Sequence, residues 1–353
     1  MALTGALRWF PMLFFGVFVG VISDRIDRRT LVLIDQGASI AITCLVGVLL
    51  FAGWLAPAYI FIASFLMGIF SANDMPARRG LLADLVGEER LVGALTLDVV
   101  SLNIAVIVAG VLAGVMLATI GPVGAYAVMI PLYVAGFAAQ YASHARSSPQ
   151  PGRAQSPLAN LKEGAAYAAT SPVIVATLAV TVGMNLLVFP YKVLLPVFAR
   201  DVLGVGPEGL GVLAAADGVG ALLGALALAS RARGVPKGPV YLGGSLIMAV
   251  AMILFGQSQM YPLSVVLLVL LGTGLAGFQT MQAGIVLSAT PPELRGRMIG
   301  ILSVAIGCYP LGMLLLGGAA SLIDPLVAVT ITGLLQALLV AVTAFLVPSL
   351  RRF

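Results

Sequence analysis

The chain has 353 residues, of which 60% are hydrophobic and only 9% charged, and its mean hydropathy is +1.09. A soluble domain carries about a quarter charged residues and under half apolar ones, so this composition excludes a soluble enzyme and describes a helical protein threaded repeatedly through lipid. The net charge of +5 does not point to nucleic acid, because the basic residues sit at the ends of apolar runs, where they set orientation.

A helix crosses a bilayer core with roughly 20 apolar residues, and by that measure the chain holds about eleven spans. They centre near Leu13, Ile42, Phe65, Ile107, Tyr133, Asn185, Leu222, Met248, Leu270, Gly312 and Leu335. Polar or turn-forming residues separate them, beginning with Asp24-Arg25-Ile26-Asp27-Arg28-Arg29, five ionisable groups packed between two apolar runs. Ser171-Pro172 and Thr290-Pro291-Pro292-Glu293 carry the marks of helix starts, the second also of a capping box. Residues 147–153, Ser-Ser-Pro-Gln-Pro-Gly-Arg, cannot span a membrane and read as a linker, followed by a short surface helix from about Leu158.

Orientation follows from the cations. Sixteen of the nineteen Lys and Arg residues lie in alternate loops and the tail, and only Arg8, Lys192 and Arg200 fall elsewhere. The positive-inside rule makes those loops and the C-terminus cytoplasmic.

The linker divides the chain into residues 1–143 with five spans, a cytoplasmic connection at 144–170, and residues 171–353 with six. The two halves read as a decayed repeat. Gly20 before the first basic loop and Gly224 before Arg231 are 204 residues apart, and so are Glu89 in Glu-Arg-Leu-Val-Gly and Glu293 in Glu-Leu-Arg-Gly-Arg. Parallel half-repeats are a known transporter architecture. Five spans against six leaves the N-terminal half a helix short, which the sequence explains best as a late start, before a second helix.

The spacing Gly20-x-x-x-Asp24-Arg25-x-x-Arg28-Arg29 resembles the loop between the second and third helices of major facilitator superfamily transporters. The resemblance continues in Asp74-Met-Pro76-Ala-Arg78, Pro190-Tyr191, Leu194-Leu-Pro196-Val-Phe198-Ala and Glu293-Leu-Arg295-Gly-Arg297, and so covers nearly the whole chain. Asp27, where glycine is usual, places it nearest the branch of enterobactin-exporter-like and macrolide-efflux-like proteins. The resemblance implies an all-α membrane protein, a two-half helical bundle of major facilitator type, about eleven helices in a five-plus-six arrangement. It implies export of amphipathic small molecules by alternating access with proton coupling, in the bacterial inner membrane, by a monomer that needs no cofactor. It also implies a latch between the halves built from Asp24, Arg25, Arg28, Arg29, Arg295 and Arg297. The plainer alternative is that these charges only fix topology.

Several polar residues interrupt the spans. Lys192 and Asp217 are ionisable groups inside apolar runs, and each lies about 12 residues from the turn at Gly204-Val205-Gly206, hence about 18 Å along antiparallel helices. At equal depth they can pair, and such a pair either couples proton or substrate binding to motion or is static, with the lysine reaching toward the outer face. Asn103 with Gly110 and Gly114 resembles the glycine-rich fifth helix of antiporters, although Ala109-Gly110 stands where that pattern has Gly-Pro and Val106 where it has arginine. Gln279 and Gln282 form a polar patch that either lines a cavity or bonds between helices. No nucleophile–base set, phosphate loop or metal cluster stands out in the sequence. Two other readings stay open: an uptake permease, which would want more buried charge, and a non-transporting membrane protein.

Overall fold

The computed structural model describes residues 3–11, 28–71, 78, 81, 97–98, 101–102, 104–142, 157–230, 236–291 and 294–353. Among them there is no strand. Every long element is an apolar helix, as lipid requires, because a backbone without water must close its hydrogen bonds within its own segment.

In chain order these are α1 (residues 3–11), α2 (Arg28–Phe51), α3 (Pro57–Ser71), α4 (Ile104–Thr119), α5 (Gly121–Ala142), α6 (Pro157–Thr170) and α7 (Pro172–Gly183). After α7 the same rod continues through a π turn (Met184–Val188), a 3-10 turn (Phe189–Val193), the single turn α8 (Leu195–Val197) and a second π turn (Phe198–Val202). Then come α9 (Pro207–Ser230), α10 (Lys237–Gln257), α11 (Tyr261–Ser288), α12 (Arg295–Ile306), α13 (Tyr309–Leu322), α14 (Pro325–Leu346) and α15 (Pro348–Arg352). Eight stretches among the described residues are long and apolar enough to cross a membrane, and α3 and α4 are shorter apolar helices. Ten of the eleven expected span centres fall within these helices. The eleventh, Leu13, lies outside the described residues, as do Pro292 and Glu293 of the expected capping box and residues 147–153.

Turns sit where glycine permits them. Gly121 (φ +67°) opens α5 directly after α4, and Gly204 (φ +62°) reverses the chain before α9, a backbone region that a side-chain-bearing residue rarely enters. At the start of α7, Pro172 stands in the first turn and Ser171 accepts a hydrogen bond from the Ile174 N–H, 3.4 Å away.

The chain forms two compact units. One lies within Leu3–Leu102 and Val115–Ala154, the other within Met1–Ala2, Asn103–Gly114 and Gln155–Phe353. In the first, α2 packs on α3 and α5. Gly47 of α2 lies beneath Tyr126 and Ile130, and Gly68 of α3 receives the carbonyl of Arg8 so closely that a Cβ there would overlap it. In the second, α11 is the central element, packed against both α9 and α10.

That packing is backbone on backbone. A Cβ at Gly244 would lie 2.6 Å from the Gly274 oxygen, and one at Gly274 would lie 2.5 Å from the Gly244 oxygen. Gly220 meets the Val269 carbonyl and Gly272 the Asp217 carbonyl, again with no room for a side chain. Lipid tails are as apolar as leucine, so burial does not hold helices together here; close approach of small residues does. Helix α4 joins this unit in the same way, Gly110 and Gly114 lying against Pro207, Gly211 and Ala215 of α9. At the far end, Leu350 of α15 is fully buried and its carbonyl sits against Gly238 of α10.

Candidate functional site

The rod from Pro172 to Val202 is apolar along 31 residues, yet it changes winding four times. Two prolines account for the breaks. Pro190 has no N–H for the carbonyls of Leu186 or Asn185, and Pro196 likewise cannot close its own turn. The freed carbonyls find a neighbour in α13: a Cβ at Gly312 would stand 2.6 Å from both the Asn185 and the Leu186 oxygen, and 2.7 Å from the Pro190 ring. Glycine at 312 is therefore what lets α13 approach the broken stretch.

The 3-10 turn carries Tyr191 and Lys192 toward α9. The Lys192 ammonium lies 2.5 Å from Asp217 Oδ2, and the Tyr191 hydroxyl donates to the same oxygen at 3.1 Å. Asp217 and Tyr191 are buried, whereas the Lys192 side chain is 42% exposed. Tyr309, the first residue of α13, is also within electrostatic reach of the carboxylate. Removing a carboxylate from water costs several kcal/mol by order of magnitude, and the ammonium and the phenol donor act to offset it. Edge-on contact of Tyr191 with Phe255 (6.3 Å between ring centres) and stacking of Phe198 on Phe255 (4.7 Å) hold the phenol in place.

A second polar centre connects α7, α10 and α11. The Gln282 amide donates to Thr181 Oγ1 at 2.7 Å, and the Tyr241 hydroxyl lies 3.0 Å from that oxygen while donating to the Thr177 carbonyl at 2.8 Å. Asn185 donates back to the Thr181 carbonyl at 2.9 Å. All five residues are buried. Of the two alternatives for the glutamine patch, Gln282 thus bonds between helices, whereas Gln279 and Thr280 are exposed.

The residues of the expected latch are placed as follows. Asp24 and Arg25 lie outside the described residues, and Arg28 opens α2. Arg29 donates to the Tyr141 carbonyl at 2.7 Å, with its guanidinium 6.0 Å from the ring centre, joining α2 to α5. Arg295 is exposed at the start of α12. Arg297 pairs at 2.5 Å with Glu163 of α6, the surface helix that precedes α7. Asn103 lies outside the described residues.

Neither Tyr191 nor Tyr309 was expected beside Asp217. Tyr191 is adjacent to Lys192, so a 3-10 turn that brings neighbouring residues to one carboxylate was the missing signal, and Pro190 was its only trace.

Two units of apolar helices, with the Lys192–Asp217 pair where a proline-broken span meets α9, describe a multi-pass membrane protein. The chain belongs to the transmembrane secretion effector family (MFS_3), whose model matches residues 1–353. Among curated proteins it is 27% identical to the enterobactin exporter EntS of Escherichia coli O1:K1 / APEC, over 97% of this chain and 82% of that one. The enterobactin exporter EntS of Shigella boydii serotype 18 matches with the same identity and coverage. Among solved structures, a POT family transporter in complex with a thioalcohol-conjugated peptide superposes with a TM-score of 0.76 at 13% identity, over 99% of this chain and 87% of that one. A POT family transporter in complex with 5-aminolevulinic acid gives 0.76 at 12% identity over the same shares. At those identities the structural neighbours establish the major facilitator-like fold; family and relatives together make this an export-type transporter.

Proposed function

We propose that this protein exports amphipathic small molecules of drug or siderophore type by alternating access, and that proton entry through Asp217 drives it. The observation that carries the reading is the Lys192–Asp217–Tyr191 cluster, an ionisable set where a broken span meets α9 in a member of a secretion family. Charge inside a membrane is costly and marks ion or substrate pathways. The relatives' named substrate, enterobactin, supports the siderophore alternative.

The physics of the switch is local. With Asp217 ionised, Lys192 and Tyr191 are drawn to one oxygen and the 3-10 turn is held against α9. A proton on Asp217 removes the attraction, and the turn, already lacking the Pro190 hydrogen bond, repositions at low cost. Two halves, residues 1–143 and 171–353 joined by 144–170, would then rock about a central site, with the basic cytoplasmic ends (Asp24, Arg25, Arg28, Arg29, Arg295 and Arg297) biasing one state. Exposed Gln279 and Thr280, together with Asn103, are candidates to line the path. The setting is the bacterial inner membrane, with a cytoplasmic C-terminus and a monomer as the working unit.

The test uses cells stripped of their own efflux pumps and expressing this chain. Protonophore-sensitive exclusion of fluorescent amphipathic dyes, abolished by Asp217→Asn, is expected. Exclusion that survives Asp217→Asn would remove Asp217 from the coupling step.

A further inference from the structure

Gln336 stands on α14 with its side chain 0% exposed, and neither amide atom has a hydrogen-bond partner among the described residues. At that burial no water molecule fits beside the amide, and a buried polar group left unpaired weighs against the fold that contains it. Neither the Lys192–Asp217 pair nor the Thr181 network includes it.

Its surroundings are of two kinds. On one side α14 is fixed to α10: a Cβ at Gly333 would lie 3.2 Å from the Ala249 oxygen, and one at Gly256 3.0 Å from the Leu326 oxygen. On the other side is the rod that begins with α7. The amide oxygen fills the space of the side chain that Gly183 lacks, so a Cβ there would overlap it. Gly183 immediately precedes the π turn Met184–Val188, and α14 packs against both α7 and that turn.

The π turn leaves acceptors over. Phe189 donates its N–H to the Met184 carbonyl, five residues back, and so passes over Asn185, while Pro190 has no N–H to offer Leu186. The carbonyls of Asn185 and Leu186 therefore lack the donor four residues on, and both lie within one turn of Gly183. An unpaired amide and two freed carbonyls stand at the same part of the rod without meeting.

A π turn is an α-helix with one residue inserted. Moving the insertion along the rod turns each residue it passes by about 100° and shifts it by about 1.5 Å. We propose that the rod has two registers of this kind, and that Gln336 is the residue that holds the second, where its amide N–H donates to a carbonyl freed in the rod. In the register described here the rod is held by Gly312 and by the Lys192–Asp217 pair, and Gln336 goes unpaired. The unpaired amide raises this state toward the other, which keeps both populated. The proposal rests on the alternating-access reading for its purpose, but not on a proton at Asp217.

Gln336→Met, which keeps the length of the side chain and removes the amide, tests it in the purified full chain. The melting temperature should rise by about 2 °C or more, because the unpaired group is gone. Hydrogen–deuterium exchange over residues 184–193 should slow several-fold relative to α11, because the second register has lost its partner. Dye exclusion in cells should fall several-fold at equal expression. Gly183→Ala, which drives a methyl group into the amide in this register, should shift the balance the other way and speed exchange over the same residues.

A raised melting temperature with exchange at 184–193 and dye exclusion both unchanged would overturn the proposal and make Gln336 a static defect. A lowered melting temperature in Gln336→Met would also overturn it, since the amide would then be paired in this register. The expected melting and exchange pattern in a protein that excludes no dye even as the parent would support the two registers and overturn the export reading instead.

Discussion

Helices α7 and α11 lie in the same unit, are comparably apolar and contact each other, yet they solve the membrane problem in opposite ways. Helix α11 is one unbroken α-helix of 28 residues that meets α9 and α10 through glycine, backbone against backbone. The rod that begins with α7 carries Pro190 and Pro196, changes winding four times and holds Lys192 against α9 through a salt bridge. A glycine seam has one good register, because any shift drives side chains into carbonyls. A proline-broken rod has spare carbonyls and several turns of similar energy. If the protein works by alternating access as proposed, the contrast makes α11 the frame and the α7 rod the element expected to move.

The frame should be the more sensitive of the two to substitution. Gly272→Val puts a branched side chain where the Asp217 carbonyl already sits, and overpacking of this kind costs about 1–3 kcal/mol or more. Loss of a monodisperse peak in size-exclusion chromatography, or a sharply lowered melting temperature, is expected. Next comes the rod. Pro190→Ala restores an N–H that can reach the Leu186 carbonyl, so the rod should straighten, leaving the melting temperature within a few degrees of the parent while dye exclusion falls substantially. A fully active Pro190→Ala would show that the broken winding is not needed for transport.

Smaller effects test the polar contacts. Gln282→Leu removes the bond to Thr181, and interhelical hydrogen bonds in membranes are worth about 0.6 kcal/mol on average. A slightly lowered melting point with transport retained is expected; abolished transport with full stability would return Gln282 to the substrate path. Glu163→Gln breaks the pair with Arg297, whose partners are 58% and 21% exposed, and pairs of that kind contribute about 0–1 kcal/mol. Melting should barely change, and any effect should shrink further in high salt.

Much of this was legible in the sequence, for reasons that depend on distance. Span positions are set by runs of about 20 apolar residues, a local property, and ten of the eleven expected centres lie in helices. The pairing of Lys192 with Asp217 followed from equal depth on either side of the Gly204 turn, again local. What could not be read joins residues far apart in sequence. Gly312 admits the Asn185 and Leu186 carbonyls from more than a hundred residues away, Gln282 finds Thr181 at a separation of 101, and Arg297 finds Glu163 at a separation of 134. Pro190, read only as part of a family motif, did not reveal that the 3-10 turn around it would bring Tyr191 to the same carboxylate oxygen as Lys192. The rod expected as an ordinary span around Asn185 is thus where local pattern and tertiary structure diverge.

Proton entry through Asp217 is best tested by a flux measurement in proteoliposomes. Purified protein would be reconstituted with a pH-sensitive dye inside, and an amphipathic amine added to one side without an imposed gradient. Coupled exchange predicts proton movement opposite to the substrate in the parent protein and none in Asp217→Asn, with Lys192→Arg intermediate. Equal proton movement in the parent and Asp217→Asn would contradict that coupling.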